Sequence, residues 1–274
     1  MKKCAKLTSR SAISISGPDR VGFLQNLITC DVEGLSKDST AFGALLTPQG
    51  KILFDFLIHH SGNSFLIDLR SEQAEDFAKR LTFYRLRAAV DIERLNDDII
   101  VSWPDDAATQ YLDPRIKELG ARTIKKMETN ATESEWEQDR INAGIPQCGS
   151  DFLPGDVFPH EALMDQFGHN GVDFSKGCYV GQEVVSRMQH RGTARSRFVK
   201  VSSRKGSELP VLGSEIEAGG RKIGKMGCHI AHSGLALLRL DRAINAIENG
   251  IEITAGNVPI KATLPDFVDF DWPQ

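Results

Sequence analysis

The chain has 274 residues, 33 Lys+Arg against 37 Asp+Glu, and a formal net charge of −4. That length suits two or three modules better than one core, and 41% hydrophobic with 26% charged residues excludes a disordered chain. The charge balance excludes a general basic field for nucleic acid, no apolar run approaches the ~20 residues of a membrane span, and five scattered cysteines without a C-x-x-C pair argue against a disulfide framework or a four-thiolate zinc site.

The opening Met-Lys-Lys-Cys-Ala-Lys is not followed by an apolar stretch, and with unpaired cysteines this predicts a cytosolic rather than a secreted protein. Ile13 and Ile15 alternate with serines over residues 12–16, the pattern of a half-buried strand. Gly17-Pro18-Asp19 breaks that strand and opens a helix carrying Val21, Leu24, Leu27 and Ile28 at helical spacing. Residues 41–46, the turn Pro48-Gln49-Gly50 and residues 51–60 read as a hairpin. Its second strand is apolar on both faces, with Ile52, Phe54, Phe56 and Ile58 on one and Leu53 and Leu57 on the other, which predicts a central strand. Asp55 interrupts that run and must be paired or face a cavity.

Residues 65–69 predict another strand, 72–85 a helix, and 88–92 and 99–103 further strands; the first half is α+β of the ferredoxin-like sort. Thr132-x-x-Glu135 is a capping box that opens a helix through Ile141. From Arg197 onward short strands (198–202, 222–230, 234–240, 258–264) alternate with Gly, Pro and Asn and no long helix is expected, which predicts a small all-β module. Cys228, His229 and His232 are the nearest approach to a metal cluster, but they fall in a strand-like stretch and no metal site is predicted. Residues 128–161 carry eight acids and only Arg140, a net of −7, whereas 176–205 carry eight bases and only Glu183, a net of +7. Such blocks either complement each other or leave the basic one facing an anion.

The most unusual stretch is Lys176-Gly177-Cys178-Tyr179-Val180-Gly181-Gln182-Glu183, followed by Arg187. Glycines on both sides of Cys178 predict a turning or closely approached backbone. Lys176 and a helix start at Gly181-Gln182-Glu183 are the cationic setting that favours a thiolate; a helix entry with a buried thiol is the plainer reading.

The string K-G-C-Y-x-G-Q-E-x-x-x-R resembles the signature of the YgfZ family of folate-binding proteins, relatives of the glycine-cleavage T-protein, an aminomethyltransferase. Ile15-Ser16-Gly17-Pro18-Asp19, Thr29-Cys30-Asp31-Val32, Gly50-Lys51, Ala143-Gly144-Ile145-Pro146 and Pro159-His160-Glu161 extend the likeness over nearly the whole chain. The resemblance implies a three-domain ring of two ferredoxin-like modules and a C-terminal β-barrel. Its division would be an interleaved folate-binding region at 1–195 (about 1–45 with 130–195, and 46–129) and a barrel at 196–274. It implies tetrahydrofolate or a one-carbon derivative as ligand and a role in assembly or repair of [4Fe–4S] enzymes, tRNA-modifying ones among them. It also implies iron–sulfur assembly proteins or client enzymes as partners and a monomer or weak dimer, without direct nucleic-acid or membrane contact. Cys178 and Lys176 become the candidate catalytic residues. Trp136, Asp31, Asp55, Glu161, Arg10, Gln182, Glu183 and Arg187 become the candidate folate-binding set, with Trp136 as the stacking platform for a pterin. A second folate tryptophan of the family falls at Arg10, where a guanidinium would have to stack or pair with a glutamate tail. The transferase branch carries paired aspartates where this chain has Phe54-Asp55, and it lacks the Cys and Gln of the octapeptide. Aminomethyl transfer is therefore the alternative rather than the leading expectation, whether any chemistry is catalysed stays open, and a pure interaction module is the third.

Overall fold

The computed structural model describes residues 2–104, 111–192, 194–204 and 206–273. The chain enters through β1 (Lys3–Lys6), a strand that sequence patterning did not reveal, and continues as β2 (Arg10–Ser16) and α1 (Arg20–Gln25). The hairpin β3 (Thr40–Leu46) and β4 (Ile52–Ser61) follows, then β5 (Ser64–Arg70), α2 (Ala74–Arg85) and β6 (Asp91–Arg94). Strands β2 to β6 form one antiparallel sheet in the order β3-β4-β5-β2-β6, so β4 is interior and covered on both faces, as its two-sided apolarity requires. Phe54, Phe56 and Ile58 pack with α1 and α2, where Phe77 meets Phe54 edge-on at 5.3 Å. Ile52 does not join them. The register shifts between Leu45 and Leu46, and beyond that irregularity Ile52 belongs to the core on the opposite face.

The second sheet takes β7 (Ile99–Trp103), β8 (Tyr111–Leu112) and β9 (Ala121–Ile124) and is completed by β1, in the order β1-β7-β9-β8. The division expected at residue 45 falls inside β3, and the five-stranded sheet draws on both sides of it, because the two strands of a hairpin form one unit. Helix α3 (Glu133–Ala143) starts at Thr132, which accepts from the Glu135 backbone N–H while the Glu135 carboxylate accepts from the Thr132 N–H at 2.9 Å. It ends at Gly144 in the left-handed conformation.

A buried polar layer joins the two sheets. Asp68 on β5 accepts from Arg10 on β2 and from Arg122 on β9, the latter at 3.2 Å; Arg122 also lies 3.6 Å from Asp113, which Arg115 grips with two nitrogens. All five side chains are nearly or fully buried, a setting in which charges persist only as mutual partners.

After α4 (Gln182–Arg191) the strands β10 (Ser196–Ser203), β11 (Glu215–Ala218), β12 (Arg221–Ile230), β13 (Ser233–Arg239), β14 (Ile253–Ala255) and β15 (Val258–Thr263) close a six-stranded barrel. The barrel is not helix-free: α5 (Leu240–Glu248) covers it, setting Leu240, Ala243 and Ala246 into the barrel core. Their i, i+3, i+6 spacing is a helical signal obscured by the surrounding short strands. The molecule is thus α+β, two sheet-based modules followed by a closed barrel.

Candidate functional site

The segment before α4 is built by carboxylate and ammonium anchors. Asp173 accepts at one oxygen from the Ser175 N–H at 2.7 Å, the Ser175 hydroxyl at 2.6 Å and the Lys176 N–H at 3.2 Å, closing a tight turn. Lys176 then reaches back to the loop after α1 and donates to the carbonyls of Ile28 and Cys30, each at 2.7 Å. Its ammonium also lies 5.5 Å from the Tyr179 ring centroid, and burial lowers its pKa below the usual lysine range. Tyr179 is buried and Cys178 beside it is exposed.

Gly181 carries the close approach predicted for the glycine pair. Its φ is +83°, and a Cβ there would lie 2.6 Å from the Thr47 carbonyl and 3.0 Å from Gly50 Cα. Gly50, φ +80°, meets Val184 and the Gly181 carbonyl in return, so the hairpin turn and the start of α4 sit backbone to backbone. Gly177 needs no such freedom: a Cβ there would meet nothing within 4 Å.

Cys178 is the one exposed cysteine among the described residues. Burial pushes the Cys30 and Cys228 thiols up to about 12 and raises Cys148 further, which keeps all three protonated. Cys228 donates to Asp151 at 2.8 Å, and His232 contacts the Ser207 carbonyl. Among the described residues no group of three or more His, Cys, Asp or Glu is arranged to hold a metal ion.

The expected folate-binding residues are not brought together. Trp136 is 1% exposed, its indole N–H donates to the Leu119 carbonyl at 3.2 Å, and the Arg122 guanidinium lies 4.5 Å from its ring centroid. A pterin needs an open face, and burial leaves none. Arg10 is likewise occupied by Asp68. Asp55 accepts the Cys148 N–H at 2.8 Å, and burial raises its pKa, so it is paired with backbone inside the protein. Glu161 accepts the Phe158 N–H at 3.0 Å, with a pKa raised by burial. Asp31 accepts from Gln25 and the Gly34 N–H and borders a separate surface cavity with His169 and Asp173. On α4, Glu183 and Arg187 form an exposed pair at 2.7 Å, and Gln182 starts the helix. The residues expected to hold folate therefore do not fit it as a set.

Among the described residues no salt bridge joins the two charge blocks, although Arg197 acts electrostatically on Glu161. Arg197 pairs with Asp165, Lys200 with Asp266 and Arg187 with Glu183, while Arg140 pairs with Asp151 and Glu137 inside the acidic block. Lys205 of the basic block lies outside the described residues. Sequence reasoning missed the Asp68–Arg122–Asp113 layer altogether, because its members come from β5, β9 and the loop after β8 with no shared motif.

Residues 195–270 match the family model described as the CAF17 C-terminal beta-barrel domain. The glycine cleavage system aminomethyltransferase T of Bartonella henselae superposes on the whole chain with a TM-score of 0.70, covering 88% of that protein at 13% identity, which shows the shared fold. A mitochondrial IBA57 homolog of Neurospora crassa is 31% identical over 71% of this chain and 52% of its own length. That of Dictyostelium discoideum is 30% identical over 73% of this chain and 63% of its own, and human IBA57 is 27% identical over 98% and 85%. The chain is similar to the IBA57 iron–sulfur cluster assembly factors. It spans about half the length of the Neurospora crassa and Chaetomium globosum relatives and most of the human one. Each of these IBA57 relatives is named mitochondrial, which overturns the expectation of a cytosolic protein. Unpaired thiols report a reducing compartment, and the cytosol is only one of those.

Proposed function

We propose that this chain is an iron–sulfur cluster assembly factor whose working group is the Cys178 thiol. The observation that carries the reading is the exposure of Cys178 on a segment fixed by Lys176 and Asp173, while Cys30, Cys148 and Cys228 are held inward. The IBA57 resemblance supplies the client class: iron–sulfur assembly proteins or the enzymes that receive clusters. An exposed, positioned thiol suits brief contact with a cluster or with a partner's thiol, and the chain's own residues contribute its placement.

Dependence on tetrahydrofolate or a one-carbon derivative, and tRNA-modifying clients, are the finer parts of this proposal. Folate is supported by the shared aminomethyltransferase fold, whereas the buried Trp136 offers a pterin no open face. Aminomethyl transfer is not favoured, since Asp55 stands without a second aspartate and its carboxylate is bonded to backbone. The deciding experiment is complementation of cells lacking the gene. Wild type restores [4Fe–4S] enzyme activity and Cys178→Ser, expressed to the same level, does not. Full rescue by Cys178→Ser overturns the reading.

A further inference from the structure

The C-terminal end of α2 carries an apolar and cationic corner that the fold leaves uncovered. Phe77 and Leu81 of this helix point inward and pack into the core beneath the five-stranded sheet. Phe83, by contrast, is 75% exposed, and Leu86 at 89% is the most exposed large apolar side chain among the described residues. Half-buried Tyr84 meets Phe83 edge-on at 5.8 Å and backs the exposed ring. Leu86 caps the helix at φ +46° and ψ −102°, a conformation strained for a branched L side chain and ordinary for glycine. Packing does not offset that strain, because the side chain lies in water.

The bases around this corner differ in what holds them. Lys79 pairs with Glu75 at 2.6 Å, and Arg85 donates to the Val90 carbonyl at 3.3 Å. Arg80 and Arg87, both exposed, form no hydrogen bond, ion pair or ring contact among the described residues. The neighbouring carboxylates are engaged elsewhere or stand apart. Glu75 is held by Lys79, whose field Asp76 shares, and Asp19 accepts the Ala89 N–H at 2.7 Å. Asp91 and Glu93 on β6 form no ion pair with either arginine.

We propose that this corner docks an acidic segment of a partner protein, with an apolar side chain against Phe83 and Leu86 and carboxylates toward Arg80 and Arg87. Aromatic and arginine side chains dominate the energetics of protein interfaces, and a guanidinium grips a carboxylate with two nitrogens. An anionic membrane fits less well. Two unpaired arginines fall short of the about 4–8 bases of a lipid-binding cluster. Glu75 and Asp76 in the first turn of the same helix, and a net charge of −4, would also be repelled by such a surface. The proposal uses no residue of the Cys178 segment, so it and the assembly reading can fail separately.

The test uses the full chain and the fluorescein-labelled peptide Glu-Glu-Leu-Glu-Glu-Phe-Glu-Glu, followed by anisotropy. This peptide is expected to bind saturably. Counterparts with glutamine for every glutamate, or with glycine for the leucine and phenylalanine, should bind at least fivefold more weakly. Arg87→Glu and Phe83→Ser should each weaken the parent peptide at least fivefold. Leu86→Gly should weaken it at least threefold while its urea midpoint stays or rises, because glycine takes positive φ freely; this separates docking from folding. Arg191→Glu, an exposed arginine of the basic block on α4, should change binding less than twofold. Absence of saturable binding, equal binding of the glutamine or glycine peptide, full retention by Leu86→Gly, or equal weakening by Arg191→Glu would each overturn the proposal. Co-sedimentation with phosphatidylserine vesicles that Leu86→Gly abolishes would assign the corner to a lipid surface and overturn it too.

Discussion

The ammonium of Lys176 donates to the Cys30 carbonyl at 2.7 Å, joining the signature segment to the loop after α1 across 146 positions. The same nitrogen reaches the Ile28 carbonyl at 2.7 Å. Lys176 is therefore a tether for the segment, and its charge is spent on backbone oxygens.

Lys176→Met keeps the aliphatic stem and deletes both charged hydrogen bonds. The expected loss is about 2 kcal/mol in a urea titration, since hydrogen bonds to charged groups contribute roughly 1.5–3 kcal/mol and the carbonyls lose a partner. Amide exchange of residues 176–181 should quicken more than that of β4. Unchanged exchange in that segment would show that Lys176 is not the tether.

Cysteine reactivity should follow exposure. At pH 8, alkylation of the native chain is expected at Cys178 at least tenfold faster than at Cys30, Cys148 or Cys228, whose thiols burial holds protonated. Cys178→Ser should shift stability by less than about 0.5 kcal/mol, as exposed substitutions do. Peptide mapping after brief iodoacetamide treatment checks the order.

The polar layer between the sheets should be costly to break and cheaper to replace. Asp68→Asn strands Arg10 and leaves Arg122 with Asp113 alone at 3.6 Å, at an expected cost of about 3–5 kcal/mol. Adding Arg122→Met to Asp68→Asn removes that weakly held charge and should recover part of that loss. A double variant less stable than the single one would contradict this account.

His59, fully buried and stacked on Tyr111 at 4.4 Å, has its pKa lowered by burial from 6.5 to about 4. The folded form resists protonation that the unfolded chain accepts, so His59 leaves stability intact above pH 6.5 and subtracts from it as pH falls toward 4. The full swing is about 3 kcal/mol from a shift of this size. Urea titrations at pH 7 and pH 5 should differ by less in His59→Gln than in wild type.

Local patterns made much of the fold legible. The two-faced apolarity of β4 gave its interior position, Thr132 and Glu135 gave the start of α3, and the strand spacing after Arg197 gave an all-β module, whose closure into a barrel only the family resemblance implied. The signature octapeptide marked the exposed thiol. Long-range pairing was hidden: nothing in Lys3–Lys6 announces a partner at β7, and no motif links Asp68 to Arg122. Trp136 illustrates the same limit. Its position along α3 was readable, but whether its ring faced a ligand or a guanidinium depended on β9, where Arg122 stands.

The contact between Gly50 and Gly181 acts as a spacer gauge for the thiol. Helix α4 can seat only as deep as the hairpin turn permits: Gly181 meets the backbone of Thr47 and Gly50, and Gly50 meets the Val184 side chain and the Gly181 carbonyl. One methyl group at either glycine would lift the helix and carry Cys178 outward with it. Variation in the turn far upstream would then alter how the thiol is offered to a partner while leaving the octapeptide untouched.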